Sequence, residues 1–455
     1  MNWCTRTAAA DATLSIPGGA ARPQPAPVDN DRRALPPLPF ILTVTALIGL
    51  LHAWIGWRLL PDLPLGDTGS AVGIVSLLLS SLLIPAGLLA RSIRRQPLSD
   101  RMAWAGLLAM GLFSSLFVLT LLRDAALLAS NFLISDALHA VLTRGSAPAV
   151  PLAAALLTLV GLVNARRPAQ VVEVDIPIAE LPEALHHFTI AQISDLHVGP
   201  TIKRRHIERV VEQVNAIGAD LIAITGDLVD GSVRELSGHT APLAGLAAPH
   251  GAYFVTGNHE YYSGAAAWVD ELRRLGLRVL MNEHVVLRHR GAPLLLAGVT
   301  DYSAHHSDPR QRSDPHAAIA GAPAEVGVRI LLAHQPRSAH AAHAAGFDLQ
   351  LSGHTHGGQF LPWNFFVRLQ QPFTAGLNRL NDLWVYTSRG TGYWGPPKRL
   401  GAPSEITRIR LVRANGTRYQ PAQDAAAIAP SLLKHEADDI NVPAVRQGHD
   451  AGGGA

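Results

Sequence analysis

The chain has 455 residues, 48% of them hydrophobic, and a formal net charge of +3. Charged residues make up 16%, against roughly 25% in an ordinary soluble protein. With a mean hydropathy of +0.17, this excludes a disordered chain and a polyanion-coating one, and points to a partly membrane-embedded protein with no nucleic-acid partner.

Residues 1–38 are rich in Ala, Pro and Gly without an apolar period, which reads as a disordered leader. Arg32-Arg33 ahead of an apolar run raises a twin-arginine export signal. The run is long, lacks a small-residue cleavage site and is followed by further apolar runs, so a basic cytoplasmic flank is the better reading. Residues 39–167 are expected to form a helical transmembrane region. Four runs are nearly uncharged: Phe40 to Trp57, Ser70 to Ala90, Met102 to Leu122, and Ala147 to Val163. Each is about long enough to cross a ~30 Å hydrocarbon layer as a helix. The amphipathic stretch Ala125 to Leu142 is expected to lie along the interface or to return partway into the bilayer. Arginines cluster in the leader, in the second loop (Arg91, Arg94, Arg95, Arg101) and after the fourth run (Arg166, Arg167). Arg58 alone marks the first loop, and Arg123 and Arg144 the third. The alternation places the N-terminus and the C-terminal domain in the cytoplasm. Lys203, Lys398 and Lys434 are the only lysines among 38 basic residues, a bias that suggests a bacterium and hence its inner membrane.

Residues 171–414 read as a soluble α/β domain, and 415–455 as a disordered tail. Strands are expected at Val171 to Ile176, Phe188 to Ile193, Leu221 to Thr225, Tyr253 to Thr256, Leu294 to Val299, Arg329 to Ala333 and Leu349 to Ser352, with a helix from His206 to Ile217. Each of these strands is read as ending in Gly, Asp, Asn or His at its C-terminal edge, where open α/β sheets place their sites. The strand-end segments are Asp195-Leu196-His197, Gly226-Asp227-Leu228-Val229-Asp230, Gly257-Asn258-His259-Glu260, Ala333-His334 and Gly353-His354-Thr355-His356. The single cysteine, Cys4, rules out a thiolate site. Carboxylates, imidazoles and an amide oxygen suit Mn²⁺, Fe²⁺ or Zn²⁺. In extended backbone, residues i and i+2 share a face, so Asp195 with His197 and His354 with His356 are expected to present paired ligands. The neighbouring glycines are expected to let the chain turn sharply.

Together these motifs resemble the calcineurin-like metallophosphoesterase superfamily, with its D-x-H, G-D-x-x-D, G-N-H-[DE], H and G-H-x-H pattern, over about residues 186–412. Gly357 to Pro362 and Ser388 to Gly392 are similar to the membrane-associated, YkuE-type bacterial branch, and the architecture resembles transmembrane proteins with a metallophosphoesterase domain. The resemblance implies a four-layer αββα sandwich following the transmembrane helices, and two divalent metal ions. Asp195, His197 and His356 would hold the first ion and Asp227 would bridge both. Asn258, His334 and His354 would hold the second. His259 would be catalytic and not a ligand, and Asp230 would steady its loop. The implied reaction is attack of metal-bridged hydroxide on a phosphomonoester or phosphodiester. The alternatives are a membrane sensor that binds a phosphorylated ligand without turnover and a phosphodiesterase for soluble substrates of the cyclic-nucleotide type.

Other polar groups fall outside the motifs. His305, His306 and Asp308 read mainly as a solvated loop, and Arg389 as an open candidate for phosphate contact. The apolar run Phe360 to Val367 reads equally as a cap on the core or as a hydrophobic lip for the bilayer or an acyl chain. The second reading points to a lipid-linked phosphate ester.

Overall fold

A computed structural model describes residues 37–93 and 95–414. The expected tail and nearly all of the expected leader lie outside the described residues. The chain forms two compact units, one up to Pro151 and one from Leu152.

Among the described residues, four helices are long and apolar enough to cross a membrane: α1 (Leu38–Leu59), α2 (Gly66–Leu88), α3 (Leu98–Leu133) and α4 (Asp136–Arg166). No separate interfacial element exists between the last two. Residues 125–133 complete α3 and residues 136–142 open α4, with the break at Ile134, whose backbone is extended. Asp136 in the first turn of α4 favours a fresh helix start there. Four arginines assigned to loops are α-helical instead, Arg101 among them, in the first turn of α3. Arg58 lies in α1 and pairs with Asp124 at 2.8 Å; Arg123 lies in α3 and pairs with Asp62. Arg144 lies in α4. The first and third connections therefore carry no arginine, and the contrast with the second is sharper than the sequence reading assumed.

The second unit begins with the last turns of α4. Ala165 and Ala169 join its core, Asn164 Nδ2 donates to the Arg399 carbonyl at 3.3 Å and Arg399 N–H donates to the Gly161 carbonyl at 2.9 Å. The chain then alternates β1 (Gln170–Ile178), β2 (Thr189–Ile193), α5 (Arg204–Ile217), β3 (Leu221–Ile224), α6 (Val233–Thr240), β4 (Ala252–Phe254), α7 (Asn258–Ser263), α8 (Ala265–Arg274) and β5 (Arg278–Val279). It continues through β6 (Glu283–His289), β7 (Ala292–Gly298), α9 (Pro315–Ile319), β8 (Arg329–Leu332), α10 (Ala339–Ala344) and β9 (Leu349–Ser352). The last elements are α11 (Trp363–Val367), β10 (Gly376–Leu380), β11 (Leu383–Thr387) and β12 (Glu405–Arg413). Two mixed six-stranded sheets result, ordered β1-β12-β2-β3-β4-β5 and β10-β11-β9-β8-β7-β6.

Strand alternation sends one face of each sheet into a shared core, where Ile190, Leu221 and Ile409 meet Leu296, Ile330 and Leu351. The outer face of the first sheet packs under α5 and α8, and that of the second under α9 and α10. This is the expected αββα order. In α5, Ile207, Val210, Val211 and Val214 recur at helical spacing and are buried, each contributing about 1.5–3 kcal/mol. Gly218, in the left-handed conformation, ends that helix. The strands β5, β6, β10, β11 and β12 were not expected from the sequence. β6, β10 and β12 carry charged or polar residues on a partly exposed face, which masks an apolar alternation; β11 is a fully buried, five-residue, largely apolar run, and β5 has only two residues.

Candidate metal centre

The five motifs meet at the C-terminal ends of β2, β3, β4, β8 and β9, where both sheets open at one edge. Gln192 ties the sheets together there, donating to Thr225 Oγ1 and to the Ser352 carbonyl, both at 2.9 Å. Among the described residues three groups of ligand-type side chains assemble; two of them match the expected ligand sets, Asp195, His197 and His356, and Asp227, His334 and His354, and the third is His197, Asp230 and His259. In the first, His197 Nε2 and His356 Nε2 are 3.1 Å apart, and His356 Nε2 is 3.3 Å from Asp195 Oδ1. In the second, His334 Nε2 is 3.0 Å from Asp227 Oδ2 and 3.2 Å from His354 Nδ1. Asp227 Oδ2 also lies 3.9 Å from His197 Nε2, so one carboxylate faces both groups.

Hydrogen bonds to the protein fix which ring nitrogens face inward. His334 Nδ1 donates to the Thr225 carbonyl at 2.7 Å, and His197 Nδ1 to Asp230 Oδ1 at 3.2 Å. Each turns Nε2 toward the cluster. Asn258 opens α7, and its side-chain oxygen is buried without a hydrogen-bond partner. An orphaned buried carbonyl costs about 1–3 kcal/mol. That oxygen and the facing imidazole nitrogens fit divalent ions, and the all-N/O donor set suits the borderline-hard metals named above. Burial, then His197 and Arg399, holds His356 well below its ordinary pKa. Burial, then His334, holds His354 down to about 3. Both rings are thus neutral, as metal ligation requires.

The paired ligands converge for a different reason from the expected one. The chain is not extended beyond the strands: Asp195, His197, Asp227, His354 and His356 all have φ between 49° and 70°. A left-handed residue costs roughly 1–3 kcal/mol, and such conformations concentrate at functional sites. The glycines also differ in role. Gly226 does make a left-handed turn, at φ 87°. Gly257 has φ −100°; what it supplies is space, since a Cβ there would come within 2.6 Å of the Asp227 backbone nitrogen and closer still to Asp227 Oδ1.

Asp230 does more than steady a loop. Its Oδ1 accepts from His259 Nδ1 at 2.6 Å as well as from His197. His259 thus sits beside the cluster, with Nε2 3.9 Å from Asp227 Oδ2. Burial lowers its basicity, but Asp227 and Asp230 outweigh that and push its pKa up to about 9. Buried Glu260 collects the backbone N–H groups of Asp227, Leu228, Val229 and Gly257, which fixes the β3 and β4 loops.

Some neighbours had no sequence signal. Trp394 and Tyr262 flank the His259 ring at centroid distances of 5.7 and 5.4 Å. Arg399 is 1% exposed, donates to the carbonyls of Arg389, Gly392 and Ala402, and brings Nη2 to 3.2 Å from His356 Nδ1. In sequence it is one of two basic residues after Pro-Pro, a pattern typical of surfaces. Arg389 is ion-paired with buried Glu405 at 3.1 Å. His305, His306 and Asp308 belong to none of these groups; Asp308 pairs with Arg310.

Sheet order, edge site and donor set define a metal-dependent phosphoesterase type of α/β domain. Residues 188–358 match the calcineurin-like phosphoesterase family. A transmembrane protein with metallophosphoesterase domain from Danio rerio is 40% identical over 268 residues, 57% of this chain and 61% of that protein. An uncharacterized metallophosphoesterase of Aquifex aeolicus is 34% identical over 224 residues, 49% of this chain and 84% of that protein. The uncharacterized metallophosphoesterase YkuE of Bacillus subtilis is 29% identical over 249 residues, 52% of this chain and 82% of that protein. The chain belongs to the calcineurin-like phosphoesterase family. It spans about three-fifths of the length of the Danio rerio relative.

Proposed function

We propose that this protein is a membrane-anchored, dinuclear-metal phosphohydrolase acting on a phosphomonoester or phosphodiester. The observation that carries the reading is the pair of three-residue ligand groups facing a shared carboxylate, Asp227, with His259 beside them. Asp195, His197 and His356 would hold one ion, Asn258, His334 and His354 the other, and Asp227 both. Two such ions supply an activated water near neutral pH and charge stabilisation for the phosphoryl oxygens.

The chain's own residues do the rest. Asp230 holds His197 in the tautomer that ligates through Nε2, and the Thr225 carbonyl does the same for His334. Asp227 and Asp230 together keep His259 protonated, so its Nε2 proton can pass to the departing alkoxide, a step worth about 10²–10⁴-fold. Trp394 and Tyr262 narrow the space around that proton. Arginines in the α2–α3 connection and after α4 support a cytoplasmic site on a bacterial inner membrane. The exposed aromatic run after His356 supports a lipid-linked ester as substrate.

The test uses the full chain in detergent, stripped of metal and reloaded with Mn²⁺. Bis(p-nitrophenyl) phosphate and p-nitrophenyl phosphate report turnover, and elemental analysis reports bound metal. Wild type should bind roughly two ions per chain and hydrolyse at least one ester. Asn258→Ala should fall toward one ion, and His259→Ala should keep its metal while losing turnover. Full metal loading without turnover of either ester, or of a phospholipid monoester in vesicles, would refute the hydrolase and favour a phosphate-ligand sensor.

A further inference from the structure

Beyond buried Phe360, the segment after the last ligand motif does not cap the core. α11 has no buried residue, and Leu361, Trp363, Phe365, Phe366 and Leu369 are exposed, Phe365 at 65% and Leu369 at 76%. Five large apolar side chains within nine residues make a patch that soluble surfaces avoid.

Where this patch sits follows from contacts within the second unit. Phe360 forms a backbone bridge with Leu400, and Leu400 N–H donates to the Gln359 carbonyl at 3.0 Å. The preceding residue, Arg399, donates its N–H to the Gly161 carbonyl of α4. The Lys398 stem lies against Gly161, its Nζ is 3.4 Å from Thr158 Oγ1 and 5.1 Å from the centre of the Phe360 ring. Thr158 and Gly161 belong to the apolar run of α4, only five to eight residues before the helix ends at Arg166. At 1.5 Å per residue those positions lie about 8–12 Å from the helix end. The segment 359–400 is therefore moored to a membrane-length helix at the end of its apolar run. Exposed Arg167 and Arg368 place cations at the same margin, where anionic headgroups would meet them.

We propose that Leu361, Trp363, Phe365, Phe366 and Leu369 form a surface seated in the lipid interface of an anionic bilayer. Aromatic rings are at home at that depth, and the basic margin complements the headgroups. The assignment does not depend on the metal chemistry, so it survives or fails separately from the hydrolase reading.

The experiment uses the full chain in nanodiscs of phosphatidylcholine and phosphatidylglycerol. On a Cys4→Ser background, Phe365→Cys, Leu369→Cys and Asp382→Cys carry an environment-sensitive fluorophore; Asp382 is a fully exposed control on a hairpin turn. Labels at 365 and 369 should emit blue-shifted light and be quenched by lipids carrying a shallow spin label, well beyond the label at 382. In parallel, brominated lipids should quench the native protein more than Trp363→Phe. Labels at 365 and 369 that stay solvent-like would overturn the proposal. Labels that are shielded but insensitive to lipid quenchers would also overturn it, giving this face to a protein partner.

Discussion

Replacing Asp230 by Asn keeps the shape of the side chain and removes its charge. One oxygen of Asp230 accepts from His197 Nδ1 at 3.2 Å and His259 Nδ1 at 2.6 Å. Burial opposes ionisation, yet these two histidines hold the carboxyl well below the usual range. Charge-assisted hydrogen bonds are roughly twice as strong as neutral ones, and a typical neutral bond is worth about 1 kcal/mol. The substitution therefore forfeits about 1 kcal/mol in each of two bonds, close to 2 kcal/mol together, or about 30-fold in rate or affinity. The loss should divide between weaker metal retention through His197 and a less acidic-form-biased His259. The assay is kcat/KM for bis(p-nitrophenyl) phosphate across pH and Mn²⁺ concentration, with thermal unfolding as a folding control. His259 has its pKa raised, so its acid form declines as pH climbs through about 9. Asp230→Asn lowers that pKa, and the alkaline limb should move to lower pH. A folded variant with kcat/KM within twofold of wild type (well short of the loss the two bonds imply) and an unmoved limb would refute the assignment of Asp230 as the group that positions both rings.

Glu260→Gln should destabilise the fold by about 2–3 kcal/mol, because one amide face turns donors toward the backbone N–H groups that both carboxylate oxygens now accept. Thermal unfolding measures it, and an unchanged Tm would contradict the role given to this residue. His206 carries a different signature. Burial, then Arg209 and Arg166, lowers its pKa to about 4, and its Nε2 is buried without a hydrogen-bond partner. The unfolded chain binds this proton first, so the contribution is complete above about pH 6.5 and is lost as pH falls toward 4, by about 3 kcal/mol. His206→Leu should flatten the decline in Tm between pH 7 and 4.5 relative to wild type; parallel curves would count against it.

The candidate site was legible because its chemistry is written in short segments at strand ends. Asp195-Leu196-His197 and His354-Thr355-His356 announce themselves by residue type alone, and apolar runs such as Leu221 to Ile224 fixed the strands that carry them. The four apolar helices were equally plain, since each must satisfy its backbone along its own length. Tertiary structure alone decided how those segments act. The left-handed backbone at Asp195, His197 and His356 is a conformation that only neighbouring strands hold in place. The reach of Asp230 to two histidines joins residues 29 and 33 positions apart. Buried Arg399 and exposed Phe365 each contradict what their local sequence suggests, because burial depends on what the rest of the chain brings beside them. Local sequence determined which groups this protein has and where its site-bearing strands and apolar helices lie. Packing decided which atoms face one another, since distance in space is not encoded by distance along the chain.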